Sequence, residues 1–418
     1  MPGTLQTIDL LVTNTSEVTT PLGAEPRRGA SLAEVEVTLE AAVAIDEGRI
    51  LEVGPGRELA ARFAPRRILD AAGGTVIPGF VDAHTHPVFA GTRELEFERR
   101  IAGQSYLEIA QAGGGIASSL RGVRGSSRAE LVAGLLVRLE RFLALGTTTL
   151  EAKTGYGLTL TDELKCLEAI DEAARAQPID LVPTCLAAHA YPPEYADRHA
   201  EYEALLIDQI WPAVAASGLA RYADIFTEAH VFDLDASRRV MEAAREQGLA
   251  LRMHVDQLTP LGGAELAAEL GATTADHLEH VSAAGIRALA QASVLPVLSP
   301  LVPLFLGESQ EAPARAMVDA GLAPALSTDF NPGSCYLQSM PEVLSWSALR
   351  YGFSAAEALT AATLNAACSL GLGADRGSLE PGKRADLLVT DLPNHLHLTY
   401  ELGRNPVRTV VKDGRVVR

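Results

Sequence analysis

Pro-Gly-Phe-Val-Asp-Ala-His-Thr-His-Pro-Val-Phe-Ala-Gly, residues 78–91, follows the β-branched run Thr75–Ile77 and predicts the end of a buried strand. Side chains two residues apart in an extended chain point to the same side, so we expect His84 and His86 to face one point beyond that end. Two imidazoles so arranged are typical of the first two ligands of a divalent metal ion. An ordinary pair of strand-end histidines is the alternative, and further candidate ligands after later strands weigh against it.

The composition is that of a globular protein: the chain has 418 residues, of which 47% are hydrophobic and 21% charged. This length fits one large α/β domain with an accessory unit. The balance of 35 basic against 53 acidic residues, a net charge of −18, argues against nucleic-acid and anionic-membrane partners. The four cysteines form no Cys-x-x-Cys pair, no apolar run reaches the roughly 20 residues of a membrane span, and no signal pattern is visible, so we expect a cytoplasmic protein with free thiols.

Residues 79–373 alternate between strand-like and helix-like patterns. Eight strand–helix repeats favour an α/β fold with a (β/α)8, TIM-like barrel over an open doubly wound sheet. Apolar residues at helical spacing predict helices at about 127–145, 162–176, 237–246 and 262–270. The strand candidates are the one that ends before His84 and residues 147–152, 181–188, 222–229, 249–255, 273–277, 293–298 and 323–328.

The two ends of the chain have the pattern of short strands joined by turns. Within residues 1–78, the stretch 14–28 is rich in Pro, Gly, Thr and Glu and is expected to be an exposed loop. Residues 374–418 return to the same turn-and-strand character. We therefore expect 1–78 and 374–418 to pair into one small composite β-sandwich domain beside the barrel at 79–373.

Functional groups in such a barrel lie at the carboxyl ends of the strands. His254 after the fifth strand and Asp329 after the eighth extend the pair His84 and His86 to three nitrogen ligands and a carboxylate. A ligand set without thiolate suits Zn²⁺ or Fe, with a position left for water. The metal lowers the pKa of that water to about 7, and Asp329 can accept its proton and pass it to a departing nitrogen. For Asp329 alone a helix N-cap is an equal alternative, but its place in Ser-Thr-Asp-Phe-Asn-Pro-Gly-Ser (327–334) favours the site.

His277, around the end of the sixth strand, is a second catalytic candidate. It can polarise the substrate carbonyl or orient the water, or it can hydrogen-bond a neighbour inside the barrel, and we favour the catalytic role. Two other kinds of chemistry are excluded. Gly113–Gly115 lacks the Lys and Ser/Thr of a phosphate-binding loop, and no Gly-x-Ser-x-Gly elbow for a nucleophilic serine occurs between a strand and a helix.

A series of motifs in chain order resembles the amidohydrolase superfamily. The superfamily-wide motifs are the opening Pro-Gly-Phe-Val-Asp-Ala-His-Thr-His and the closing Gly-Ser-Leu-Glu-Pro-Gly-Lys-Arg-Ala-Asp-Leu (377–387). More specific pieces resemble those members that hydrolyse an imidazolone ring. These pieces are Phe-Ala-Gly-Thr-Arg (89–93), Ala-Gly-Gly-Gly-Ile (112–116), Glu-Ala-Lys-Thr-Gly-Tyr-Gly-Leu (151–158), Ala-His-Ala (188–190), His-Val-Asp-Gln (254–257), Ala-Asp-His-Leu-Glu (275–279) and the segment 327–334.

The resemblance implies hydrolysis of 4-imidazolone-5-propanoate to N-formimidoyl-L-glutamate in histidine degradation, by attack of a metal-bound hydroxide on the ring amide carbonyl. It also implies a homodimer with one Zn²⁺ or Fe ion per chain, and it implies His84, His86, His254 and Asp329 as the ligands of that ion. The residues it implies for the substrate site are Arg93, Tyr156, His189, Gln257, Asn331, Gly333 and Ser334.

The chemistry of that substrate fits Arg93 and Tyr156. The molecule is a cyclic amide with a carboxylate tail, so it needs a cation as well as a metal. The Arg93 guanidinium can hold a carboxylate bidentately, and Tyr156 can add a hydroxyl donor. The alternative for Arg93 is a surface ion pair with one of the glutamates at 94, 96 and 98.

Gln257 and Glu228 leave two details open. Some relatives carry a Glu at the position of Gln257, whereas an amide cannot be a general base, so His277 is the better candidate to assist Asp329 in proton transfer. Other superfamily members bind two metals bridged by a Lys or Glu after the fourth strand. Glu228 could serve as that bridge, and Lys153, after the second strand, is poorly placed for it.

Two other functions compete with this interpretation. A mononuclear deaminase of a purine, pyrimidine or triazine would use the same metal set but has little need for Arg93 and Tyr156 facing an acidic tail. Ammonia release from aminated heterocycles would favour that enzyme. A catalytically inactive scaffold would have lost ligands, whereas every expected ligand is present.

Overall fold

The computed structural model describes residues 5–104, 108 and 114–418, which form three sheets of four, six and eight strands. Gly113 of the glycine run and Ala112 of the motif 112–116 lie outside the described residues. The strands are β1 (Gln6–Thr13), β2 (Glu17–Thr20), β3 (Glu36–Leu39), β4 (Ala41–Asp46), β5 (Arg49–Pro55), β6 (Phe63–Asp70), β7 (Thr75–Pro78), β8 (Phe80–Asp82), β9 (Thr147–Lys153), β10 (Asp180–Ala188), β11 (Tyr222–Thr227), β12 (Ala250–Val255), β13 (Thr274–His277), β14 (Leu295–Leu298), β15 (Ala325–Leu326), β16 (Leu387–Thr390), β17 (Val407–Lys412) and β18 (Arg415–Val416).

Six of the described helices begin at side-chain caps that the sequence supplies. In Arg128–Ala144 the Ser127 hydroxyl accepts from the Glu130 backbone N–H, and the Glu130 side chain accepts in return from the backbone of Ser127. The four helices expected from the sequence agree with the structure to within three residues at each end. The α-helices are Gly56–Arg62, Glu94–Ile101, Ile116–Gly125, Arg128–Ala144, Leu160–Ala176, His199–Leu205, Trp211–Ser217, Leu234–Glu246, Gly263–Leu270, Ala283–Ala292, Val302–Leu306, Ala314–Asp319, Met340–Tyr351, Ala355–Ala362, Leu364–Ser369 and His397–Tyr400, with 3-10 turns at Gly29–Ala33 and Pro193–Tyr195 and a π turn at Leu206–Ile210.

Strands β8 to β15 form one parallel sheet in sequential order, which confirms the expected barrel. A bridge between Thr85 and Phe330, just beyond β8 and β15, joins the first strand to the last. There the His86 backbone N–H donates to the Phe330 carbonyl at 2.8 Å. Asp82 strengthens the same seam by accepting from the backbone N–H and hydroxyl of Thr328 at 3.0 and 2.6 Å. The seam therefore holds the first and last predicted metal-binding segments side by side.

The two chain ends form a β-sandwich, as expected. Its six-stranded sheet runs in the order β18-β17-β16-β7-β2-β3, so strands of the C-terminal end pair with strands of the N-terminal end. The joining pair is β7 with β16, antiparallel, with Ile77 opposite Leu388. The second sheet, β5-β4-β1-β6, packs against it through aliphatic side chains such as Val43 and Leu387.

The expectation of an exposed loop throughout residues 14–28 is wrong at Glu17–Thr20. These four residues form β2, and all of them are buried. The polar side chains are satisfied by the far end of the chain: Glu17 accepts from His395, and the Thr20 hydroxyl accepts from the Leu379 N–H at 2.7 Å. Composition alone predicts a loop here because it does not reveal partners more than 350 residues away.

No helix among the described residues combines the length and the apolarity that a membrane span requires.

Candidate metal centre and active site

Four side chains at the carboxyl ends of barrel strands converge on one point. The Nε2 atom of His86 lies 3.2 Å from Nε2 of His84 and 3.4 Å from Nε2 of His254. The Asp329 Oδ1 atom lies 3.4 Å from Nε2 of His84 and 3.5 Å from Nε2 of His86. All four side chains are buried. The structure thus brings together the predicted ligands from β8, β12 and the segment after β15.

Two buried carboxylates fix how the histidines present their nitrogens. His84 Nδ1 lies 2.6 Å from Asp276 Oδ2, and His254 Nδ1 lies 3.1 Å from Asp224 Oδ1. Because a carboxylate only accepts, each Nδ1 carries the proton and each Nε2 presents its lone pair to the centre. This is the arrangement of metal-binding histidines, in which the second nitrogen is held by a hydrogen bond.

Burial and neighbouring groups together set the protonation of these side chains. It lowers the pKa of His254 to about 3 and lowers the pKa of His86 well below its usual value, so both imidazoles are neutral. Burial alone would raise the pKa of Asp329, but the adjacent His84 and His86 outweigh it and hold that pKa well below its usual value. The Asp329 Oδ1 atom is buried and has no hydrogen-bond partner among the described residues. Burial and Lys153 act to lower the pKa of His84, but Asp276 and Asp329 outweigh them and raise it. The neutral imidazoles of His86 and His254 and the unpartnered carboxylate oxygen fit a divalent cation.

Strained backbone marks the same region. Asp329 has φ of 49°, His277 of 79° and Leu278 of 70°, in the left-handed range that residues with a side chain seldom adopt. Each such residue costs about 1–3 kcal/mol and persists only where its surroundings enforce it. Here the conformation turns Asp329 and His277 toward the metal point at the ends of short strands.

His277 lies beside the ligands and is accompanied by a carboxylate that the sequence analysis did not single out. Its ring centre is 5.1 Å from those of His84 and His254. Its Nδ1 lies 3.8 Å from Oε1 of Glu279, and both side chains are buried. Burial opposes charge on His277, yet Glu279 and Asp329 outweigh it and raise its pKa to about 9. His277 can therefore act as a protonated hydrogen-bond donor.

A cavity of about 710 Å³ opens over the metal point. Most of the predicted substrate-binding residues line it: Arg93, Tyr156, His189, Gln257, Asn331 and Ser334. His189 is fixed from behind, since its Nδ1 donates to the Gly155 carbonyl at 2.9 Å, which leaves Nε2 as an acceptor. Burial lowers the pKa of His189 to about 4.

Arg93 combines the two roles considered for it. Its guanidinium pairs with Glu96 at 2.7 Å, as in the ion-pair alternative, but its side chain is only 8% exposed and lines the cavity. Gly333 provides the room: a Cβ atom at that position would lie 2.1 Å from the Arg93 Nη1 atom. The absence of a side chain at Gly333 thus leaves space for the Arg93 guanidinium. The Gly333 carbonyl also accepts a hydrogen bond from Arg100 at 2.9 Å.

Asn331 organises the loop that carries Asp329. Its amide nitrogen donates to the Asp329 carbonyl and to the Ser334 hydroxyl, both at 2.7 Å. Its amide oxygen accepts from the backbone N–H groups of Gly333 and Ser334, also at 2.7 Å. The side chain thus links both ends of the loop, while the Ser334 hydroxyl can still donate into the cavity.

Two residues considered as metal bridges, and several residues that line the cavity, complete the surroundings of the site. Glu228 accepts from the Leu258 N–H at 2.7 Å and from the Thr259 hydroxyl at 2.5 Å, and it belongs to none of the groups of described residues that could hold a metal. Lys153 ends β9 instead of following it, and its fully buried ammonium lies among carboxylates behind the ligands. Other residues that line the cavity include Arg100, Phe226, His230, Glu279 and His280. Of these, only the histidines had a visible signal, their position after strands.

Comparison with known proteins agrees with this geometry. The amidohydrolase family model matches residues 75–417. A protein named imidazolonepropionase from Symbiobacterium thermophilum is 45% identical over 417 residues, covering 99% of this chain and 98% of the relative. Another of that name from Myxococcus xanthus is 48% identical over 416 residues, with coverage of 99% and 98%.

Among solved structures, a zinc-bound adenosine deaminase from Xanthomonas campestris superposes with a TM-score of 0.71 at 22% identity, covering 99% of this chain and 93% of that one. At that identity the likeness shows the fold alone, whereas the relatives named imidazolonepropionase match at about twice the identity over nearly the full length. The chain therefore belongs to the amidohydrolase family and, within it, to the imidazolonepropionases.

Proposed function

We propose that this hydrolase opens the ring of 4-imidazolone-5-propanoate to give N-formimidoyl-L-glutamate. The observation that carries the proposal is the presence, in one cavity, of a centre fit for a metal and a largely buried guanidinium, Arg93. The first suits the ring amide and the second suits the propanoate tail. Water adds to the ring carbonyl carbon, the bond from that carbon to the ring nitrogen breaks, and the nitrogen leaves as the formimidoyl N–H.

His84, His86, His254 and Asp329 would hold one Zn²⁺ or Fe ion per chain. When bound, the ion supplies a water of lowered pKa and polarises the carbonyl. A single ion is favoured because Glu228, the candidate bridge to a second ion, already accepts hydrogen bonds through both carboxylate oxygens. The donors are the Leu258 N–H and the Thr259 hydroxyl.

Proton transfer belongs to Asp329 and His277. Asp329 accepts a proton from the attacking water and delivers it to the departing ring nitrogen. His277, charged near neutral pH, donates a hydrogen bond to the carbonyl oxygen as negative charge develops there. Gln257 lines the cavity as a hydrogen-bonding amide and takes no proton.

The remaining cavity residues bind and orient the substrate. Arg93 holds the propanoate carboxylate through paired N–H groups, an interaction for which Arg is better suited than Lys. Tyr156 and His189, whose ring centres lie 5.3 Å apart, contact the imidazolone ring. Ser334 donates to the substrate or to the opened product, while Asn331 and Gly333 act through the loop and through Arg93.

The test is the loss of imidazolone absorbance when protein of measured metal content is mixed with freshly prepared 4-imidazolone-5-propanoate. We expect metal-dependent turnover with N-formimidoylglutamate as the product. Absence of turnover with one equivalent of Zn²⁺ or Fe bound would reject the substrate. A panel of aminated purines, pyrimidines and triazines, assayed for ammonia, would then test the deaminase alternative.

We also propose a cytoplasmic homodimer with the sandwich at 1–78 and 374–418 and the barrel at 79–373. All four cysteines are free, as expected in a reducing compartment. The domain boundaries are supported by β7 pairing in the sandwich and β8, two residues later, in the barrel. Light scattering on the purified protein tests the dimer, and limited proteolysis tests the boundaries.

A further inference from the structure

Five fully buried charged residues lie directly behind the metal ligands. Three are carboxylates and two are cations, and each side chain is 0% exposed: Glu151, Lys153, Asp224, Arg252 and Asp276. Buried charges persist where they are paired, and such a cluster is weak as a source of stability. Two of its carboxylates hold metal-ligand histidines, so its arrangement bears on the site.

Lys153 forms ion pairs with all three carboxylates of this cluster. Its Nζ atom lies 2.6 Å from Asp224 Oδ2, 3.0 Å from Glu151 and 3.5 Å from Asp276 Oδ2. Asp224 presents its other oxygen to His254, while the same Oδ2 of Asp276 lies 2.6 Å from His84. A single residue therefore separates this ammonium group from each of two ligands on opposite sides of the barrel, His84 just beyond β8 and His254 in β12.

We propose that Lys153 is a positioning residue that holds the His84 and His254 ligands in register through Asp276 and Asp224. A carboxylate without a fixed partner could rotate and release its histidine, whereas three carboxylates around one ammonium lock one another. The inference rests on the proposed metal ligands and is independent of the substrate.

Arg252, the other cation of the cluster, lies near Asp276 as Lys153 does but makes no ion pair with Asp224 among the described residues. It lies 2.8 Å from Glu151, but its remaining N–H groups donate to the Ser369 and Ala83 carbonyls at 3.0 and 2.9 Å. Its nearest approach to Asp276 is 3.6 Å, and no ion pair joins it to Asp224 among the described residues. Arg252 is thus a cation of equal burial that does not contact the carboxylate behind His254.

The experiment measures binding of Co²⁺ and Zn²⁺ to metal-stripped protein by competition with a chromophoric chelator. Lys153→Met should raise Kd about 10–100-fold, the range for loss of a residue that orients a ligand. Arg252→Met is the matched control and should raise Kd clearly less. Equal increases in the two variants would mean that Lys153 counts only as a buried cation, and would overturn the inference.

Lys153→Arg keeps the charge and decides the question if Lys153→Met does not fold. A planar guanidinium cannot place one nitrogen among three carboxylates, so Kd should rise and the visible bands of bound Co²⁺ should shift. An unchanged Kd with unchanged bands would refute the positioning role.

A double-mutant cycle with Asp224→Asn tests the path to His254. If Lys153 acts through Asp224, adding Lys153→Arg to Asp224→Asn should weaken binding by less than it does in the wild type. Strict additivity would contradict this path. Failure of the ligand assignment is distinguishable, because wild-type protein would then bind the ion no better than His84→Ala and His254→Ala variants.

Discussion

The sandwich and the barrel bury their interiors with different kinds of side chain. Between the two sheets of the sandwich the buried cluster is aliphatic, with residues such as Val43, Leu387 and Val411 at 0% exposure. Inside the barrel, behind the proposed metal ligands, side chains equally inaccessible to water are charged, among them Lys153 and Asp224.

This difference separates stability from function. Apolar burial stabilises by roughly 25 cal/mol per Å², with little demand on the exact direction of each side chain. Buried charges contribute little net stability but are held in one geometry, because leaving any of them unpaired is costly. We therefore expect changes in the sandwich to alter unfolding and changes at the barrel mouth to alter catalysis.

Asp329→Asn, a change at the proposed site in the barrel, should have the largest effect of all on catalysis. Loss of the proton-accepting ligand is expected to lower kcat by about 10²–10⁴-fold, while the free energy of unfolding changes little. The measurement is the imidazolone absorbance assay, with Asp319→Asn as an exposed control. Activity within tenfold of the wild type would remove Asp329 from proton transfer.

Leu387→Ala, a change in the sandwich, should lower the stability of the fold and leave catalysis nearly unchanged. The side chain is fully buried in the aliphatic cluster, so the unfolding free energy should fall by about 2–5 kcal/mol. The kcat of the folded fraction should stay within about twofold, because the site is built from barrel elements. Denaturant unfolding and the absorbance assay test this, and Leu402→Ala, 51% exposed, is the control. A large loss of kcat at full folding would show that the sandwich shapes the site.

Arg93→Ala tests substrate binding in the cavity separately from metal binding and from the chemical step. Hydrogen bonds to a charged group contribute about 1.5–3 kcal/mol, so KM should rise roughly 10–100-fold with kcat and metal content nearly unchanged. Arg99→Ala, on the exposed face of the same helix, Glu94–Ile101, is the matched control. Unaltered KM would take the carboxylate role away from Arg93.

Asp180→Asn tests the junction between the two regions and should have the smallest effect. Asp180 begins β10 of the barrel and lies 2.8 Å from Lys412 of the sandwich strand β17. Burial opposes its charge, but Lys412 and Arg376 outweigh it and lower the pKa of Asp180. A lowered pKa means that the ion pair stabilises above the usual value of 3.8 and that this contribution is lost as pH falls through the folded-state pKa.

At pH 7 the Asp180→Asn variant should therefore melt about 1–3 °C below the wild type, since a partly exposed pair contributes at most about 1 kcal/mol. The difference should shrink as the pH falls below 3.8 toward the folded-state pKa. Thermal melts of both proteins from pH 7 down to pH 3 measure it, and a gap that stayed constant or widened over that range would contradict the ion-pair account.

Much of the fold could be predicted because it depends on local pattern. The alternation of strands and helices, the spacing of Leu131, Leu135 and Leu139, and the N-cap Ser127 act within one or two turns. The loop expected at 14–28 failed because the partners of Glu17–Thr20 come from the other chain end. A burial pattern that depends on distant residues leaves no periodic signal in its own segment.

The proposed metal ligands could be predicted from the sequence alone: His84 and His86 from their spacing of two, and His254 and Asp329 from their places at strand ends. The partners behind them became visible only in the folded chain, where Lys153 contacts Asp224, 71 residues away, and His84 contacts Asp276, 192 residues away. The physical reason is that an aspartate or lysine in a strand looks the same to local pattern whether it faces water or a buried partner. Closure of the barrel is what removes the water and brings those partners together.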